Sequence, residues 1–247
     1  MPRSNVHIHR LGAALAAGGL LLASVTGAQG AEEPQTFSAN IGVVSNYVWR
    51  GLTQTDEGPA IQGGLDYRHA SGFYAGTWAS NVDFGDGDNL PTYELDAYLG
   101  FGGRIDDALG YDLKLGYYAY PDGRDSDFSE FQASLTWTWL TAGVAYNVYG
   151  QADQAPGVAD GEALYIQGDL HYFVNLNFQL PYALGLSLRS GYSDFRYNDG
   201  GNDYANWGLS LSREAGDFGT FSLNYDQVGR DTYDDDPKVW VSWLKTF

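Results

Sequence analysis

Tyr93-Glu94-Leu95-Asp96-Ala97-Tyr98-Leu99-Gly100-Phe101-Gly102 alternates without a break. In an extended chain, Tyr93, Leu95, Ala97, Leu99 and Phe101 share one face. Glu94, Asp96, Tyr98, Gly100 and Gly102 share the other. A period of two belongs to a strand with one apolar and one polar side. Carboxylates and bare glycines cannot make a dry core. The apolar row therefore faces either a protein core, as in a soluble sandwich, or lipid, as in a membrane barrel. Alternation alone does not separate the two.

The same period runs through most of the chain. From Phe37 it places Phe37, Ala39, Ile41, Val43, Tyr47 and Trp49 on one face, with Ser38, Asn40, Gly42, Asn46 and Arg50 opposite. Further strands are predicted near 60–69, 72–84, 93–104, 111–120, 129–138, 140–149, 163–173, 183–195, 204–212, 219–230 and 238–247. That makes twelve, with ten as the competing count. Short connections near 69–72, 105–110 and 139–140 exchange with acidic, Gly/Asp-rich ones near 51–59, 85–92, 121–128, 150–162, 196–203 and 231–237. A longer turn near 174–182 interrupts this scheme. Tyr67, Tyr74, Phe84, Tyr93, Phe101, Tyr111 and Trp137 gather near strand ends, as interfacial girdles do. The chain ends on an alternating segment, Val239, Val241, Trp243 and terminal Phe247, interrupted by Lys245. These features select an all-β, transmembrane, antiparallel up-and-down β-barrel of twelve strands, with both termini periplasmic.

The amino terminus reads as an address. Arg3 and Arg10 precede an apolar run from Leu11 to Val25, and Ala28-Gln29-Gly30 supplies small residues for cleavage before Ala31. Residues 1–30 are expected to be a cleaved secretory signal peptide, and 31–247 a single outer-membrane barrel domain. The mature chain then carries 11 basic against 31 acidic residues.

Composition excludes several classes. A formal charge of −18 repels phosphate, so nucleic acid is not a partner. The absence of cysteine removes disulfides, thiolate metal sites and thiol catalysis. A hydrophobic share of 44% argues against disorder.

Ser45-Asn46-Tyr47-Val48-Trp49-Arg50-Gly51-Leu52-Thr53-Gln54-Thr55-Asp56 and Pro59-Ala60-Ile61-Gln62-Gly63-Gly64-Leu65-Asp66-Tyr67 resemble the TorF-type porins of proteobacteria. Ser71-Gly72-Phe73-Tyr74-Ala75-Gly76-Thr77-Trp78, Ser80-Asn81-Val82 and Tyr93-Glu94-Leu95-Asp96 extend the likeness. Beyond this stretch only the strand pattern is shared. The resemblance implies an outer-membrane barrel with a pore role and supplies no substrate. Its implied partners are outer-membrane lipid and lipopolysaccharide, small solutes or ions, and the barrel-assembly machinery through Phe247.

Pairing each hairpin by its shortest connection puts Asp83 opposite Glu94, Asn81 opposite Asp96, and Glu130 at a similar height. Lys238 would sit beside Arg230, with Arg50 on the other flank. Arg50, Asp83, Glu94, Asp96, Glu130, Arg230 and Lys238 are thus the candidate pore lining, an acidic arc facing a basic arc across water. The competing reading is a solvated network of mutually neutralising charges. Arg104 should oppose Asp112. Inner-row glycines such as Gly42, Gly64, Gly100 and Gly116, with no bulky apolar residues between them, predict an open wall and a narrow passage. The alternative is a closed structural or adhesive barrel acting through its acidic loops.

Catalysis finds little footing. A Ser–His site needs histidine within hydrogen-bond reach of the nucleophile. The mature chain has His69 and His171, both expected on the periplasmic side. Gly191-Tyr192-Ser193-Asp194-Phe195 lacks the last glycine of a nucleophile elbow. No phosphate-binding loop, zinc spacing or calcium loop occurs. No enzyme activity, cofactor or metal is expected. Amino-terminal sequencing of the exported protein should begin at Ala31. A chain still beginning at Met1 would replace the signal peptide with a retained anchor.

Overall fold

The computed structural model describes residues 35–85, 87, 90–154, 163–197, 201–229 and 233–247. The chain forms β1 (Thr36–Val44), β2 (Val48–Trp49), β3 (Leu52–Thr53), β4 (Ala60–Arg68), β5 (Phe73–Asn81), β6 (Tyr93–Arg104) and β7 (Leu109–Ala119). It continues through β8 (Phe128–Trp137), β9 (Leu140–Gly150), β10 (Leu170–Leu180), β11 (Leu184–Asp194), β12 (Tyr204–Glu214), β13 (Thr220–Val228) and β14 (Lys238–Thr246). Twelve strands close into an antiparallel barrel, sealed where β1 pairs with β14, while β2 and β3 form a separate hairpin.

Alternation dictates the wall's two faces. Along β6, Leu95, Leu99 and Phe101 are exposed on the outside, while Glu94 and Asp96 are buried inside. Ile61, Leu113, Leu135, Val174, Leu209, Leu223 and Val241 continue the apolar belt on other strands. At the short-turn end the belt is edged by Phe37–Tyr67, Phe101–Tyr111, Trp137–Trp139 and Trp139–Phe178 ring pairs. Near the long-loop end Tyr117 donates to Asp127 Oδ2 at 2.7 Å and Tyr225 to Gln227 Oε1 at 2.5 Å. An apolar band between aromatic edges is the surface a bilayer requires. The wall's backbone polar groups find partners in the closed ladder.

Several sequence expectations shift. The strand predicted at 163–173 lies at Leu170–Leu180, leaving a short turn at 181–183 in place of the long one. Short and long connections therefore alternate more strictly than the sequence pattern suggests. β5 ends at Asn81, which pairs with Tyr93, so Ser80 opposes Glu94 and Trp78 opposes Asp96. Asp112 opposes Gly102, and Arg104 opposes Gly110. Tyr74 belongs to the inner row and donates to Asp112 Oδ1 at 2.9 Å, and Phe84 packs against the interior cluster. Neither is a girdle residue.

The inner glycines do not leave the wall bare. A Cβ added at Gly76, Gly100 or Gly143 would strike the ring of Tyr98, Tyr74 or Phe173 from the neighbouring strand. Each glycine is the space an aromatic ring occupies. Below mid-height the inner row also carries polar pairs, with Asp66 accepting from Tyr98 at 2.6 Å and Thr136 bonding Thr141 at 2.9 Å.

Placing a charge at the centre of the belt, as Leu209→Arg, should cost about 2–4 kcal/mol of unfolding free energy in lipid vesicles. Ser210→Asn, one step along but facing inward, should leave it nearly unchanged. Urea unfolding followed by tryptophan fluorescence reads both.

Candidate functional site: an inward hairpin across the lumen

β1 stops at Val44, and the stretch from Ser45 to Pro59 turns into the barrel. Tyr47, Trp49 and Leu52 are buried inside it, which corrects the reading of Tyr47 and Trp49 as lipid-facing. Trp49 pairs with Leu52 around Arg50-Gly51, and both turn residues have positive φ, 49° and 84°. That is the two-residue turn whose twist suits a hairpin. Gly51 is required twice, because a Cβ there would also lie 2.7 Å from Val228 Cγ1 and 3.1 Å from Asn206 Cβ.

The hairpin uses its own polar side chains. Thr55 Oγ1 accepts from Tyr47 N at 3.1 Å and donates to the Gly58 carbonyl at 2.6 Å. Thr53 Oγ1 donates to Asn46 Oδ1 at 2.7 Å and accepts from Glu57 N at 2.9 Å. Gln54 O takes the Asp83 amide at 2.8 Å, joining the returning strand to the end of β5.

Arg50 carries the hairpin to the far wall. Its guanidinium reaches Glu130 Oε2 at 2.6 Å on β8, five strands from β1 in one direction and seven in the other. It also lies over the Trp49 ring, 4.1 Å from the centroid. Tyr47 donates to Glu94 Oε2 at 3.2 Å on β6 and packs edge-on against Trp78 of β5.

A second inward piece, residues 163–169, completes an aromatic layer. Tyr165 sits 5.5 Å from Trp49, 5.2 Å from Phe128 and 5.5 Å from Phe195. Phe128 stacks on Tyr118 at 4.7 Å, and Phe195 approaches Tyr204 at 6.3 Å. The buried cluster draws on β1, β4, β7, β8, β12 and β13 as well as the hairpin, so apolar packing spans the barrel at this height. The expected absence of bulky inner residues fails here.

The candidate residues fall into three groups. Arg50 and Glu130 pair at 2.6 Å at the hairpin tip, while Glu94, held by Tyr47, and Asp96 are buried on β6. Asp83 is exposed outside this group, bridged to Thr55, because β5 ends before it. Lys238 is buried, opposes Asp226 and donates to Asp234 Oδ2 at 2.5 Å and to the Asp236 carbonyl at 2.9 Å. It anchors a long loop, and its bond holds the Asp234 carboxyl below the ordinary carboxylate range. Arg230 lies outside the described residues. Among the described residues Arg50 meets Glu130 directly and does not face it across water. Sequence reasoning missed Arg189, which pairs with Asp226 Oδ1 at 2.9 Å, and Trp240, whose Nε1 donates to Asp226 Oδ2 at 2.9 Å.

His171 opens β10 at the long-loop end, the opposite side from that expected. Its Nδ1 lies 3.0 Å from Ser193 Oγ, and both side chains are buried in the wall under the aromatic layer. Among the described residues no carboxylate is bonded to the imidazole's other nitrogen.

Asp169 fastens the second inward piece. Its carboxylate accepts the Ile166 amide at 3.0 Å and the Arg196 amide at 2.8 Å. Burial nevertheless pushes this carboxyl up to about 6. A raised carboxyl favours the folded state fully at low pH, and that contribution fades as pH rises through the folded value. The barrel's heat-modification midpoint should therefore decline between about pH 4 and 6.5 through this group. Asp169→Asn should flatten that part of the profile, read by gel mobility after heating at each pH.

Solved structures share this architecture. The KdgM porin superposes with a TM-score of 0.52 at 8% identity, over 83% of this chain and 98% of that one. The NanC porin gives 0.51 at 11% identity, over 85% and 98%. At such identities the likeness concerns the fold. No curated protein matches the sequence. A sequence model of one bacterial family does match, over residues 28–239, which include nearly the whole barrel. The chain belongs to that family, Gcw_chp, described as bacterial proteins of unknown function.

Proposed function

We propose that this protein is an outer-membrane porin of TorF type, giving narrow, passive, charge-selective passage to small hydrophilic solutes or ions. The observation that carries this reading is the inverted barrel, apolar all round outside and lined within by Ser, Asn, Thr, Gln and charged residues. In this reading residues 1–30 direct export and are removed. The short turns and both termini face the periplasm, the long acidic loops face outward among lipopolysaccharide, and Phe247 serves barrel assembly. The acidic loops gather cations at the mouth.

The constriction is the inward hairpin. Arg50 and Glu130 neutralise each other at its tip, Tyr47 holds Glu94 on the wall, and the polar vestibule opens toward the short turns. His171 and Ser193 belong to the wall. The aromatic layer also favours a second reading, a barrel closed while the hairpin is latched and acting through its loops.

Single-channel recording of the mature protein in planar bilayers under a KCl gradient separates the two. The porin reading expects small, discrete, cation-leaning steps from the wild type and larger ones from Arg50→Ala, which frees the hairpin tip. A folded, heat-modifiable barrel silent in both forms would leave the closed reading standing.

A further inference from the structure

The outer wall is recessed beside the seam. β1 and β14 share five paired positions, Asn40 to Val44, fewer than any other neighbouring strands of the barrel. One residue further, Ser45 N donates to the Val241 carbonyl at 2.9 Å and Ser45 Oγ takes the Val241 amide at 3.0 Å. The chain then leaves the wall for the interior.

An apolar recess of about 700 Å³ lies over this place, and it follows two rows of the ladder. Arg213, Phe221, Trp243 and Val43 pair in turn across β12, β13, β14 and β1, with Leu184 of β11 beside Arg213. Two residues along, Leu211, Leu223 and Val241 pair in the same way and end at Ser45. Five strands at a spacing of about 4.8 Å make the recess roughly 19 Å long. Barrel strands are tilted, so it climbs obliquely from the short-turn edge at Arg213 toward the point where β1 turns inward. Half the hydrocarbon core is about 15 Å thick, so one acyl chain laid along that slope stays within its leaflet.

Charge marks the lower end. Among the described residues of the barrel strands, Arg213 and Lys245 are the basic side chains on the outward row, both next to last in their strands at the short-turn end. Arg68, Arg104, Lys114, Arg189 and Lys238 all fall on the inward row. Lys245 donates to the Asp217 carbonyl and lies 5.7 Å from the Phe247 ring centroid. Arg213 is exposed and makes no ion pair with any described residue. Glu214, the next residue, falls on the inward row, and Asp217 lies in the turn beyond.

A guanidinium at the edge of hydrocarbon, without a carboxylate partner, presents the planar pair of donors that a phosphate matches. We infer that the recess holds one phospholipid with an anionic headgroup, its phosphate on Arg213 beside Lys245 and one acyl chain along the two rows. The chain touches Val241 and Trp243 on one lip of the seam and Val43 and Pro59 on the other. The lipid therefore holds together the barrel's shortest ladder, at the base of the inward hairpin.

The test uses the purified full barrel in phosphatidylcholine vesicles, without and with phosphatidylglycerol, at fixed ionic strength. The heat-modification midpoint should be higher by about 2–4 °C in the anionic vesicles, as a bound ligand would make it. An anionic surface as such repels a chain with 11 basic against 31 acidic residues, so the gain has to come from a local site. Arg213→Gln should abolish the gain, and Arg124→Gln, which removes the same charge from a long loop, should keep it. Leu223→Trp fills the recess, leaves both cations and should also abolish it. Each gain is measured within one variant, independent of that variant's own stability. Equal midpoints for the wild type, a gain undiminished in Arg213→Gln or Leu223→Trp, or a gain lost in Arg124→Gln would overturn the site. Glycerol phosphate added to the phosphatidylcholine vesicles should change nothing, and a gain from it would make this a free-anion site and overturn the lipid. The measurement involves no current, so a barrel that proves non-conducting leaves this expectation intact.

Discussion

Every amide and carbonyl in a wall that faces hydrocarbon must find its partner within the protein. In this chain that demand closes the ladder from β1 to β14, and closure governs the rest of the architecture. The apolar row is turned outward, and side chains with nowhere else to go fill the interior. The polar row then meets two different needs at two heights. Toward the short turns it lines a vestibule with hydroxyls, amides and cross-strand pairs such as Asp66 with Tyr98. Toward the long loops the chain itself returns to fill the space, and an aromatic layer replaces water.

Charge inside the barrel is handled locally. Arg50 meets Glu130 and Arg189 meets Asp226, while at the rim Lys238 meets Asp234 of a loop. Pairing of this kind suits a narrow interior, where a charge stripped of water is costly unless matched. The large negative balance of the sequence resides instead in the connections at the long-loop end, where water screens it.

The wall was legible because side-chain alternation and lipid exposure are the same fact seen twice. β6 reads off Tyr93 to Gly102 residue by residue. The interior was not legible, for identifiable reasons. Alternation runs on from Val43 through Tyr47 and Trp49 although the chain has turned inward, since period two does not record a change of direction. Arg50-Gly51 between Val48-Trp49 and Leu52-Thr53 was the available signal, a two-residue turn flanked by strand formers. Asp83 was placed beside Glu94 by assuming the shortest connection, yet β5 ends two residues earlier and the register slips. His171 moved to the other end of the barrel because the alternation through 163–169 belongs to an inward loop whose Tyr165 has a φ of 59°.

The hairpin's place in the chain has a consequence for how the protein is made. It lies between β1 and β4, at the amino-terminal side of the seam, while β14 supplies the other lip of that seam from the last residues of the chain. Twelve strands cannot form a tube until β14 is present, so the hairpin is enclosed by the final step of assembly. Its grip on Glu130 and on the β12–β13 wall is established across a space that does not exist until then. Gly51, with no side chain to obstruct Val228 and Asn206, lets the hairpin tip seat against that wall as the tube closes.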